Sequence, residues 1–305
     1  MRVGYVGQHN VKQNNASGPG TTAPNINLAN PPRIGVNAQT TNIYQPFSAI
    51  TYQADPLFHS SMNSLQIGVH KQYSHGFQIN AEYQWTRVLG TENLENPSGA
   101  TPNDSYGQIG GITPQVVVAS YSYELPFGKG SSFLGNASNF VDKLVSGWQI
   151  SGITTIQTGQ PFSVLYTAPG SITGAVSGRA NVVPGVPLYP GKKTRAQWFN
   201  PSAFTAPPLV TINGVQYATY GNSGYNALRG PYYQSWDMNL EKNLRFRDRY
   251  RLQLRGEAFN TFNHPNFGTP NATITNTATV GTITGISSTP AASARTIEFV
   301  AKFNF

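Results

Sequence analysis

Three carboxylates and three guanidiniums crowd one stretch of the chain: Asp237, Glu241, Arg245, Arg251, Arg255 and Glu257 all lie within WDMNLEKNLRFRDRYRLQLRGEAF. Two acids this close could act as a general acid and a general base. The arginines, joined by Arg247 and Arg249, could instead collect anionic solutes or pair with the carboxylates of an acidic partner, because a field inside a narrow low-dielectric wall is focused. A guanidinium beside a carboxyl keeps it ionised and removes the raised pKa that acid catalysis needs. Every acid here has basic neighbours on its own face, so the set reads as a charge ladder and no enzyme is expected. The five histidines, His9, His59, His70, His75 and His264, are scattered and fit neither HExxH nor any other ligand spacing. With no cysteine in the chain, thiolate metal sites and a disulfide framework are excluded. The sequence therefore predicts no metal and no cofactor.

Period-two alternation positions these charges. Trp236, Met238, Leu240, Leu244 and Phe246 share one face, and Asp237, Asn239, Glu241, Asn243 and Arg245 share the other. Tyr250, Leu252, Leu254 and Ala258 then alternate with Arg251, Gln253, Arg255 and Glu257. The two runs read as a hairpin. Keeping both apolar faces on one side requires an odd loop, which Arg247, Asp248 and Arg249 supply. Phe246 then faces Tyr250, Leu244 faces Leu252, and Glu241 faces Arg255. The tail repeats the pattern: Ile297, Phe299, Ala301, Phe303 and Phe305 alternate with Thr296, Glu298, Val300, Lys302 and Asn304. A last amphipathic strand ending on Phe303 and Phe305 resembles the signal by which bacterial outer-membrane barrels are recognised for assembly.

Composition narrows the solvent. Charged residues make up 10% of the 305, against roughly 25% in ordinary soluble domains. The chain carries 31 Gly, 22 Pro and 12% aromatic residues, with a formal charge of +8. No run of about 18 apolar residues exists, so a membrane could be crossed only by a closed barrel. Nucleic acid is a poor explanation of the positive charge, because the arginines alternate with apolar strand residues and form no exposed patch. The opening MRVGYVGQHN has no export signal and begins as if inside a strand, which predicts the C-terminal part of a longer protein, or a mis-called start.

Taken in order, the chain predicts eight strands. The first runs from about Arg2 to Gln8. A hairpin follows from Met62, with Leu65, Ile67, Val69 and Tyr73 matched by Phe77, Ile79, Ala81, Tyr83 and Trp85 across a three-residue loop of Ser74, His75 and Gly76. Another strand begins at Val117 and ends in LPFGKG. Phe140, Val141, Leu144 and Val145 have helical spacing after a Ser138 cap, giving a short helix lying along an interface or simply packed as a connector. Trp148, Ile150, Ile156, Phe162, Val164 and Tyr166 hold one parity, which predicts a single strand from Gly147 to Thr167. With the hairpin and the tail the count is complete. Long loops at 9–61, 90–113, 169–231 and 264–292 then fall at one end and short connections at the other, as in outer-membrane barrels whose long loops are extracellular. Trp85, Tyr83, Tyr121, Tyr123 and Trp236 fit interfacial aromatic girdles. Lys71, Arg87 and Lys242 violate the lipid-facing parity, where a cation at midplane costs roughly 2 to 4 kcal/mol; Lys71 and Arg87 sit near strand ends and can snorkel, whereas Lys242 is deeper.

Several segments carry a family resemblance. YSHGFQINAEYQWTRVL, SYSYELPFGKG, GWQISGITTIQTGQPFSV, WFNPSAF, YGNSGYNALRGPYYQSWDMNLEKNLRF, RLQLRGEAFNTFNHPNFGTPN and the terminal KFNF run in order from about residue 60 to the end. Together they resemble the C-terminal barrel portion of the Oar-like, TonB-dependent receptor family. Where that family often has an Asp and an Arg-His pair before ELPFGKG, this chain has GQIGGITPQVVVASY. The resemblance implies a barrel of about 22 strands, plugged by an N-terminal domain and driven by an inner-membrane TonB-type energy transducer. Plug and regulatory domain would lie upstream of Met1.

The expectation for residues 1–305 is thus an all-β, antiparallel outer-membrane barrel segment of a receptor or transporter. Its partners would be membrane lipid and lipopolysaccharide, the barrel assembly machinery, and the transducer acting through the plug. The second reading is a self-closing eight-stranded surface adhesin or structural barrel. Pairing between the strand at 3–6 and the strand at 297–305 distinguishes them. A third, a soluble sandwich, predicts that Leu244, Leu252, Phe299 and Phe303 are covered by a second sheet.

Overall fold

The structure, a computed structural model, describes residues 1–13, 27, 44, 46–47, 50, 58–91, 106–167, 177–246, 250–288 and 294–305. The turn expected at Arg247–Arg249 lies outside them, as do parts of all four long loops. Eight long strands form one antiparallel sheet: β1 (Arg2–Gln13), β2 (Phe58–Ser74), β3 (Phe77–Thr91), β4 (Gln115–Glu124), β5 (Trp148–Gln157), β6 (Tyr233–Phe246), β7 (Tyr250–Phe259) and β8 (Thr296–Asn304). They pair in chain order, and a short strand, Tyr106–Gln108, adds to β3. Among the described residues β1 and β8 each pair on one side only, and no closed barrel forms.

The register aligns the two faces across the whole sheet. Tyr5 faces Leu65, Leu65 faces Trp85, Tyr83 faces Val117, and Val117 faces Ile156. Ile150 then faces Leu240, Leu244 faces Leu252, and Leu252 faces Phe303. One face is apolar from β1 to β8 because every pairing sets the apolar parity of one strand against that of the next. Glu241 lies across from Arg255, as the alternation predicts. Several strands overrun the roughly 9 to 11 residues needed to span a bilayer: β2 has 17 residues, β3 has 15 and β6 has 14. β2 begins four residues before Met62, at Phe58, which lies on the polar parity, so periodicity carries no signal there.

Two local expectations are corrected. The β2–β3 turn has two residues, with Ser74 paired to Phe77 and a register shift between Lys71 and Ser74. His75 at φ 52° and Gly76 at φ 75° make the mirror-image turn that suits strand twist, and the bulge restores the even parity that a three-residue loop would have supplied. The strand from Gly147 to Thr167 is broken: β5 ends at Gln157. Gly159 lets the Gly230 segment pack against the chain just past this end, because a Cβ there would lie 1.9 Å from the carbonyl oxygen of Gly230. Phe162, Val164 and Tyr166 keep their alternation but face a protein core.

That core lies in the loops. Segments 158–167, 177–232 and 260–288 contribute a cap at the long-loop end, built from small paired strands: Pro161–Phe162 with Leu228–Arg229, Leu165–Thr167 with Ser177–Arg179, and Asn181–Val182 with Phe204–Thr205. Phe162, Val164, Phe199, Ala203, Phe204 and Leu228 are among its buried side chains. A hairpin, Leu209–Ile212 with Val215–Ala218, closes on Asn213-Gly214. None of the buried hydrophobic residues among those described lies in the eight long strands. Phe299 is 86% exposed, Phe303 55% and Leu240 44%, and no second sheet covers this face, contrary to a sandwich. An apolar surface of this breadth is a face made to be covered, and a face apolar on every strand opposite a polar one is the pattern of a wall in lipid. Among the described residues no helix is long and apolar enough to cross a membrane.

Candidate functional site

The polar face is wired across and along its strands by short neutral side chains. Ser151 Oγ donates to Asn239 Oδ1 at 3.0 Å, Gln149 Nε2 donates to Ser122, and Gln84 Nε2 donates to Thr86 Oγ1 at 2.8 Å. The buried hydroxyls of Ser64 and Thr86 meet at 3.0 Å. Such amide and hydroxyl ladders satisfy the groups within the sheet. They leave a polar wall with few fixed charges.

The six predicted charges sit on this wall and divide into three groups. Asp237 is a tie: it accepts from Ser235 Oγ at 3.0 Å and from the Asn260 backbone N–H at 2.8 Å. Arg255 turns along its own strand to Glu257, Nε to Oε1 at 2.8 Å, while the in-register Glu241 accepts from Asn243 Nδ2 at 2.6 Å. Arg245 and Arg251 lie directly across from each other at the short-turn end, both exposed, with no carboxylate partner among the described residues. Like charges facing across strands destabilise, so this pair is suited to an acidic neighbour. On the first strands Arg2 reaches over Gly68 to Glu82 at 3.7 Å. No group of three or more His, Asp or Glu able to hold a metal occurs among the described residues.

Two of the three cations on the apolar parity, Lys71 and Lys242, have local solutions. Lys71 Nζ sits 4.9 Å above the Phe77 ring. Lys242, 5% exposed, does not snorkel along the strand: the β4–β5 connector folds over the apolar face and offers the carbonyl of Leu144 at 3.1 Å and that of Ser146. The Trp148 ring lies 5.2 Å from the same ammonium. Aromatic rings gather near the ends of the wall: Phe77 with Tyr123, Tyr250 with Phe303, and Phe303 with Phe305 at the short end, and Trp236 with Phe262 at the other. Tyr121 instead lies over Gly152.

The residues missed by pattern reasoning are in NTFNHPNFG. Asn266, 3% exposed, accepts from the Gln234 N–H and donates to the Gln234 carbonyl, both at 2.8 Å, imitating a strand partner for the start of β6. Asn260 brackets His264 from both sides, and His264 reaches Tyr232 Oη and Asn266. Asn260 and Asn263 take positive φ, which Asn tolerates. This amide lock fixes the cap to the sheet. Burial pushes the Tyr189 phenol above its usual range and the Arg229 guanidinium below its own, while Tyr189 Oη accepts the Arg229 N–H at 2.7 Å. Between cap and sheet opens a cleft of about 330 Å³ whose lining, including Gln157, Thr158, Gln160, Tyr233, Phe267 and Thr269, carries no charged side chain.

One face to hydrocarbon, one polar face wired within the sheet, and long loops gathered at a single end are the features of an outer-membrane wall. A family model described as an outer membrane beta barrel domain matches residues 1–298. Comparison with curated proteins and with solved structures yields no match. The chain belongs to the outer membrane beta barrel domain family, and its place is the bacterial outer membrane.

Proposed function

We propose that this chain is the C-terminal barrel portion of a TonB-dependent receptor or transporter of the Oar-like kind, forming lumen wall and extracellular cap for energised passage of a solute. It performs no catalysis. Upstream strands complete the barrel, and an upstream plug couples it to the energy transducer. Arg245 and Arg251 pair with carboxylates of that plug. Phe303 and Phe305 are read by the assembly machinery, and lipid and lipopolysaccharide cover the apolar face. The uncharged cleft under the cap favours a neutral, hydrogen-bonding solute.

The observation that carries this reading is the pair of one-sided edge strands, β1 and β8, since bare edges in lipid are not viable. A self-closed eight-stranded adhesin is the alternative, and closure separates them. Cysteines placed in turn along 3–6 and 297–301 of the membrane-embedded protein should give no disulfide between β1 and β8 in the receptor. A high-yield cross-link between those strands would sink it.

A further inference from the structure

We propose that the β4–β5 connector, residues 125–147, is a membrane-interface anchor that lies in the leaflet at the short-turn end, its apolar side chains at the boundary between headgroups and acyl chains. The proposal rests on the apolar face meeting lipid and is independent of the receptor reading.

The connector is held on the lipid side of the wall. Trp148, the first apolar-face residue of β5, donates from Nε1 to the Leu144 carbonyl at 3.0 Å, and Lys242, its in-register partner on β6, donates to that carbonyl and to Ser146. Lys242 is buried, whereas Leu240 and Phe246 on the same face of the same strand are 44% and 42% exposed. The connector therefore covers the sheet at one place and projects from it elsewhere.

What projects is greasy. The helix α1 (Asn139–Val145), capped by Ser138, buries none of its residues, and Phe140 is 74% exposed, Leu144 59% and Val141 40%. Spacings of one and four put these three on one side. Phe133 and Leu134 ahead of the helix are as exposed, and Leu134 has φ 58°, a left-handed backbone that is rare for a bulky residue. Backbone strain that holds an apolar side chain in the open has a physical return if that side chain enters lipid. The acid of the segment is used internally: Asp142 Oδ1 accepts the Lys129 N–H at 2.6 Å. Exposed Lys143, and exposed Lys129 whose ammonium also reaches Asn139 Oδ1 at 3.4 Å, can meet headgroup phosphates, the charge pattern of an interfacial helix. The apolar patch also runs on from the lipid-facing sheet through Trp148, so a phospholipid leaflet is the partner that covers both.

The absence of native cysteine allows a direct test. In the whole membrane-embedded protein, nitroxide labels at Phe140→Cys, Leu144→Cys, Lys143→Cys and, as a lipid benchmark, Leu240→Cys are compared for contact with oxygen and with a water-soluble nickel chelate, using only the heat-modifiable folded band. Labels at 140 and 144 should match 240, favouring oxygen and excluding nickel severalfold more than the label at 143. Nickel access at 140 and 144 equal to that at 143 would overturn the anchor. So would shielding from both agents, which would mean that protein covers the helix. A water-exposed label at 240 would instead overturn the lipid-facing wall itself.

Discussion

Lys242 shows how one side chain can violate a face rule without disturbing the fold. Its ammonium is buried on the apolar face and satisfied by two backbone carbonyls from the connector. Replacing it by Met removes the donor to the Ser146 carbonyl, while the Leu144 carbonyl keeps Trp148 Nε1, and a buried group without its partner costs about 1 to 3 kcal/mol. Lys242→Met should lower the urea stability of the folded protein in vesicles by that amount, despite improving the hydrophobic match; unchanged or raised stability would mean that the lysine merely snorkels. Asn266 makes the complementary case on the cap. Asn266→Asp keeps the shape but removes the donor to the Gln234 carbonyl, with a similar cost of about 1 to 3 kcal/mol. Proteolysis of the cap should accelerate while the strands stay protected. Neither role was legible in sequence. Lys242 is satisfied by carbonyls nearly a hundred residues away in the chain, and an Asn mimicking a strand partner has no periodic signature.

Strand parity was the legible part of the fold, and the register of both short hairpins followed from it. Parity alone could not choose between a three-residue loop and a two-residue turn with a bulge, because both preserve it; His75 and Gly76 at positive φ decide for the second. Gly76→Val should cost on the order of 1 to 2 kcal/mol for the left-handed backbone alone, with a further penalty because its Cβ would approach Glu124 O at 3.2 Å. Parity also misled at Gly159. Phe162, Val164 and Tyr166 continue the alternation of β5, and alternation into lipid looks the same as alternation into a protein core. The Asn213-Gly214 turn marks a hairpin within the cap, inside a stretch expected to be one long loop. Tyr189 gives the cap its own pH response. Its phenol is raised above the ordinary 10.0, so it stays neutral in the folded state at pH values where an unfolded chain begins to ionise. The contribution is fully present below pH 10 and is lost as pH rises through the folded value. Cap protease resistance should fall above pH 10, and Tyr189→Phe should flatten that dependence.

At the scale of the whole molecule, the solvents are divided unusually: the sheet has no buried apolar core, and the loops have one. The wall depends on bilayer for stability, whereas the cap carries core packing of its own. Removal from lipid should therefore melt β1–β8 while the environments of Phe199 and Trp198 persist longer. Composition had already pointed toward the first half, with 10% charged residues in the chain. The second half was hidden, because residues 177–228 alternate only over two to four residues at a time. The most direct measurement takes four adjacent positions of β7 in turn: cysteines at Leu252, Gln253, Leu254 and Arg255, each carrying an environment-sensitive fluorophore in the membrane-embedded protein, with acyl-brominated lipid as quencher. Strong quenching at 252 and 254 and little at 253 and 255 is the predicted result. Uniform quenching, the reversed alternation, or protection of 252 and 254 from lipid would contradict a wall with one face in hydrocarbon.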